Sequence, residues 1–174
     1  MADLKTWVPE GFVDGKHPML SESLMRRLER LGRRAGPQRL VVRLVPGANE
    51  ADLEGFFVDR PAWGARERLP GLIEVDIMPH DIQLFTERPD LFAWIGVATR
   101  LTGKPLQEAG RTALIKISVV EGRAGEVAAR VKKLGGTVAG SSNHELLARM
   151  PAERVAELLP FEDEVDAIDV AGAE

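Results

Sequence analysis

The sequence predicts an α+β protein built from two tandem βαββαβ units, with an extra helix ahead of them. Three observations carry this. Short β-branched runs alternate with apolar-periodic helices along 39–99 and again along 112–174. Pro and Gly clusters such as Pro46-Gly47, Glu121-Gly122 and Gly135-Gly136 punctuate them. The two halves also overlay: a shift of 73 lays Ile73, Val75 and Ile77 on Leu146, Ala148 and Met150, and Ile95 and Val97 on Ile168 and Val170.

Each element has a local reason. Pro18 opens a helix to about Arg34, in which Leu20, Leu24, Leu28 and Leu31 form one apolar stripe and either Ser21 or Ser23 is placed to cap. Residues 1–38 are thus an N-terminal arm and an amphipathic basic helix. The run 39–45 reads as a buried strand, and Asn49 caps a helix to about Val58 with Leu53, Phe56 and Phe57 inward. Residues 61–70 form a loop or weak edge strand. Ile73, Val75 and Ile77 alternate with Glu74 and Asp76, as in a half-buried strand. Pro79 starts a short helix carrying Ile82 and Phe85, and 92–99 returns as a strand. Residues 100–111 join the units as a linker.

The second unit, 112–174, repeats the order. A strand covers 114–120 and a helix 125–134, closed by Gly135-Gly136. Strands at 137–139 and 145–150 flank a turn at Ser141-Ser142-Asn143. A Pro151-led helix holds Val155, Leu158 and Leu159, and 165–170 is the last strand. This βαββαβ order is the ferredoxin-like one: a four-stranded antiparallel sheet with both helices on one face and the other face open.

Composition narrows the classes. The chain has 174 residues, 44% hydrophobic and 29% charged, as in an ordinary globular protein. It has no cysteine, so disulfides, thiolate metal sites and cysteine nucleophiles are excluded. Met1–Val13 carries Asp3, Lys5 and Glu10 without an apolar core, and no window is long and apolar enough to cross a membrane, so a cytoplasmic protein is expected. Six arginines (Arg26, Arg27, Arg30, Arg33, Arg34, Arg39) crowd one stretch, and acidic residues crowd 153–174. Both read as solvated faces. With no tyrosine and 5% aromatics, stacking platforms for nucleic acid are scarce.

No catalytic constellation is visible. His17, His80 and His144 lack a second ligand at helical spacing, so no metal is expected. No Gly-x-Ser-x-Gly elbow or phosphate loop occurs, and no cofactor is implied. Glu162-Asp163-Glu164 reads as a solvated turn, Trp94 as core, and Trp63 as exposed in a loop. Asn143 and His144, in the turn, are placed to touch a partner.

Residues 131–138 (VKKLGGTV), then 143–158 (NHELLARMPAERVAEL) and 165–170 (VDAIDV), give a Gly-rich turn, an Asn-led strand, a Pro-Ala-led helix and a Val-x-x-Ile strand. This pattern resembles the propeptide-like inhibitor domain of subtilisin-type serine proteases. The resemblance covers about 112–174, and the first unit would be a divergent copy. It implies a protein inhibitor, and a possible folding chaperone, of a subtilisin-like serine protease. The open sheet face would pack on the protease, and Glu145 would stand where the family places an acidic residue that caps two protease helices. Ala171, Gly172, Ala173 and Glu174 would form the extended segment entering the cleft. No protease domain follows on this chain, which implies a free-standing inhibitor acting in trans. Two other readings stay open on the residues alone: a tandem regulatory module that binds a small ligand, and an interaction scaffold.

Overall fold

The computed structural model describes residues 19–31 and 36–174. Trp7, His17, Pro18, Arg33 and Arg34, with the arm they belong to, lie outside the described residues. The chain is an α+β protein with two β-sheets. It divides into two compact units: residues up to Arg66 with Ile73–Ala98, and Glu67–Leu72 with Thr99–Glu174.

The first sheet has the order β2-β3-β1-β4, with β1 at Gln38–Leu44, β2 at Arg66–Leu69, β3 at Leu72–Ile77 and β4 at Phe92–Val97. Period-two alternation puts Leu40, Val42, Val75 and Ile77 into one core. Helix α1 (Glu22–Arg30) adds Leu24, Met25 and Leu28 to that core. It starts at Ser21, whose Oγ accepts from the Leu24 N–H at 3.1 Å. The helix does not reach back to Pro18, because Met19–Ser21 are extended along β4. The Ile95 N–H donates to Met19 O at 2.7 Å, and the Ser21 N–H to Ile95 O at 2.9 Å.

Helix α2 (Glu50–Val58) starts at Asn49, whose Oδ1 accepts from the Asp52 N–H at 3.0 Å. It buries Phe56 against Phe92 and Phe85, at 4.8 and 5.1 Å between ring centroids. Phe85 comes from α3 (Ile82–Thr86), which follows a 3-10 turn at Pro79–Asp81. Trp63, expected in the open, is buried and stacks on Phe85 at 5.2 Å. A 3-10 turn at Pro61–Trp63 swings the indole inward, and Arg60 lies over the Phe56 and Trp63 rings.

Among the described residues the far side of the first sheet is largely covered. Val41, Glu74 and Trp94 project opposite to the core residues, yet they are 0%, 2% and 7% exposed. Glu74 is not a solvated outward residue: it is paired with Arg66 at 2.7 Å and Arg39 at 3.4 Å. A buried carboxylate needs such partners.

The second sheet has the order β5-β9-β6-β8-β7. Its strands are β5 (Leu101–Gly103), β6 (Thr112–Val119), β7 (Thr137–Ser141), β8 (Glu145–Pro151) and β9 (Val165–Ala173). Helix α4 (Ala124–Lys133) and a helix at Ala152–Leu158 bury Val127, Val131, Val155 and Leu158 against Ile115, Ile117, Leu146, Ala148 and Ile168. The Pro151-led helix is 3-10, not α. Of the expected acidic turn, Glu164 is buried against Arg130, whose guanidinium also covers the Phe161 ring, and the Glu162 side chain is 10% exposed beside Arg100.

Residues 101–103, expected in a linker, form β5, parallel to β9 with Leu101 opposite Ile168. Gly103 permits this: at φ +93 it lies so close to β9 that a Cβ would stand 2.2 Å from Val170 O. Arg100 fastens the segment. Its buried guanidinium donates to Leu159 O, Val165 O and Asp166 O at 2.5, 2.7 and 3.2 Å. Desolvation lowers its pKa.

Two outcomes follow. Arg100→Ala leaves buried carbonyl oxygens unsatisfied and should cost about 3 kcal/mol in urea unfolding, with no rescue by Arg100→Lys, whose ammonium lacks the planar fork. Glu67, in β2, has its carboxyl pushed up by burial. The protonated form therefore favours folding, a contribution full below the unfolded pKa and lost as pH rises through the folded one. The Tm of Glu67→Gln relative to the parent should be highest near neutral pH and fall toward about pH 4.

Candidate partner-binding face of the second sheet

The alternation that fills the second unit's core sends every other residue to the far side. In β6 these are Leu114, Lys116 and Ser118. In β8 they are Glu145, Leu147 and Arg149, and in β9 Ala167 and Asp169. Cross-strand register places them in rows: Asp169 opposite Lys116 opposite Leu147, and Ala167 opposite Ser118 opposite Glu145. No helix covers this side among the described residues, and Leu147 is 48% exposed.

The charges on this face are paired with each other. Lys116 Nζ lies 3.3 Å from Glu145, and Arg149 Nε lies 3.3 Å from Glu174. The Thr102 hydroxyl donates to Asp169 at 2.8 Å. What these pairs leave is a mildly apolar surface around Leu147 and Leu114. A face whose exposed charges are already paired around two apolar side chains suits protein contact more than capture of a charged small molecule.

Of the expected contact residues, Asn143, His144 and Glu145 come together at the β7–β8 turn. Asn143 and His144 are exposed. The turn is tied by the Ser142 N–H to Glu145 O at 2.8 Å and by the Val119 N–H to His144 O at 2.9 Å.

The tail differs from expectation. Ala171, Gly172 and Ala173 are not an extended segment beyond the last strand. They are the end of β9, with Gly172 opposite Leu114 and Ala173 opposite Ala113. Glu174 continues the pairing: its N–H donates to Thr112 O at 2.8 Å, the Thr112 N–H donates to its main-chain oxygen at 3.3 Å, and Arg111 Nε donates to that oxygen at 3.1 Å. The turn and the tail are not brought together. Glu145 stands opposite Ser118 and Ala173 opposite Ala113, roughly 17 Å apart along β6.

The residues that give the face its character, Leu147, Lys116 and Arg149, were not singled out from sequence. The signal was present: once Leu146, Ala148 and Met150 are core, Leu147 and Arg149 point away. Among the described residues, no group of three or more His, Cys, Asp and Glu side chains is set to hold a metal ion. No helix is long and apolar enough to cross a membrane among them either. The sequence matches no protein-family model and no curated protein.

The paired tail has a direct readout. Because the Arg149–Glu174 pair is solvent-exposed, Arg149→Ala should change global stability by less than about 1 kcal/mol. The Arg111→Ala, Arg149→Ala double variant should still speed amide exchange at Thr112 and Glu174, with β6 positions 115–117 unchanged.

Proposed function

We propose that this chain is a non-catalytic protein-binding module of two ferredoxin-like units that inhibits a subtilisin-like serine protease through its second unit. Strand order supports the ferredoxin-like reading. Numbered within each sheet, both run 4-1-3-2, with β5 added beside the last strand of the second. Of the residues that overlay under the 73-residue shift, Val75, Ile77, Ile95 and Val97 are buried, as are Ala148, Met150, Ile168 and Val170, while Ile73 is half-buried and Leu146, which it overlays, is buried.

The observation that carries the functional reading is the open face around Leu147, on the side of the sheet away from α4 and the 3-10 helix. The resemblance of 112–174 to subtilase propeptide-like domains supplies the class of partner. In this reading Glu145 lies at the rim of the face, within reach of a partner's helix N-termini, where a carboxylate is favoured. Residues 171–174 enter a cleft only by exchanging their pairing with β6 for pairing with the protease. Binding would therefore begin on the face.

The test is inhibition of subtilisin-like proteases by the full chain, followed with a chromogenic peptide substrate. The parent should slow at least one such enzyme stoichiometrically. Leu147→Asp should weaken inhibition by at least about tenfold, with an unchanged Tm because the site is exposed. If no enzyme in a broad panel is slowed by the parent, or if Leu147→Asp inhibits as the parent does, the reading is wrong.

A further inference from the structure

Apart from its open face, the second sheet has two edges, and they are finished differently. On one side β5 covers β9. The outer edge of β5 is itself poor ground for another strand: it is three residues long, ends at Gly103 with φ +93, and is followed by Pro105. On the other side lies β7, Thr137-Val138-Ala139-Gly140-Ser141, the last strand in the order. Among the described residues no strand pairs with its outer edge. Its sequence holds no charge and no proline, the two usual guards of a strand edge. Thr137, Ala139 and Ser141 are exposed.

The register adds a second feature. The ladder shifts between Val138 and Gly140, which brings Gly140 opposite Leu147. Gly140 lacks a side chain, so nothing from β7 shields Leu147 on the open face, and Leu147 is 48% exposed. A strand laid beside β7 would have one residue next to Gly140. A large apolar or aromatic side chain there can lean across the glycine onto Leu147, as cross-strand aromatics cover edge glycines.

We propose that β7 is a strand-addition site for an extended, uncharged peptide segment with a large apolar or aromatic residue opposite Gly140. The complementarity is that of main-chain dipoles: alternating N–H and C=O groups on an edge without net charge fit another extended main chain. The apolar contact with Leu147 sets the register. This site shares Leu147 with a partner docked on the open face and differs from it in that only a strand laid beside β7 makes main-chain hydrogen bonds to β7. It stands whether or not the chain inhibits a protease.

The test uses the full chain, labelled with ¹⁵N and methyl-¹³C, and an acetylated, amidated heptapeptide Gln-Thr-Val-Phe-Val-Thr-Gln. Saturable shifts are expected at 137–141 and at the Leu147 methyls, with slowed amide exchange in β7. Replacing the peptide's Phe by Gly should weaken binding by about tenfold or more. Gly140→Val should do the same, because its own side chain shields Leu147. A Cβ at Gly140 meets only Leu147 Cδ1, at 3.8 Å, and an unchanged Tm of the variant checks that the fold is kept. Leu147→Ser removes the apolar contact without touching β7 and should also weaken binding. The proposal is overturned if β7 shows no shift up to about millimolar peptide, if shifts stay on Leu114 and Lys116 without β7, or if the Phe→Gly peptide binds as tightly as the original.

Discussion

Strand β9 is held from both sides, and the second unit depends on that. β6 runs along one edge of it and β5 along the other. The lead-in to β9 is fastened by Arg100, which donates to three main-chain oxygens between Leu159 and Asp166. A guanidinium suits this task because its fork satisfies several carbonyls at once and stays charged when buried. With β9 fixed, Ile168 and Val170 must face the helices. Asp169 and Ala167 are left on the open side, and Ala171–Ala173 continue in register beside β6. The character of the face and the position of the tail are both consequences of one strand being clamped.

The two sheets show how similar strand patterns can have different uses. In each, one side is filled by alternating apolar residues against helices. On the far side of the first sheet Val41, Glu74 and Trp94 are buried, and Glu74 is balanced by Arg66 and Arg39. On the far side of the second, Lys116, Leu147 and Arg149 meet solvent, and their ion pairs are of the exposed kind that add little stability. Among the described residues, the exposed far side therefore belongs to the second sheet.

Much of the fold was legible in the residues. Asn49 and Ser21 cap helices as short polar side chains before an apolar run should. The alternation of Ile73, Val75 and Ile77, and of Leu146, Ala148 and Met150, marks strands with one face in the core. Local signals misled where a long-range contact outweighed them. Met19 and Leu20 fit a helical stripe, but their backbone pairs with Ile95. Trp63 follows a proline in a loop, yet an aromatic core recruits it. Residues 101–103 carry little strand propensity, and β9 imposes the pairing. Glu74 and Glu164 are charged and read as solvated, but each has an arginine brought from elsewhere in its unit.

By itself the sequence determined the order of most strands and helices and the inward residues of strands such as β3 and β8. These depend on periodicity and capping, which act within a few residues. Only the tertiary structure decided which sheet face is covered, that the tail is the end of β9, and that β7 keeps an open edge beside an uncovered Leu147. Those outcomes depend on which distant segment satisfies a given hydrogen-bonding edge or apolar surface, and no local pattern encodes that choice.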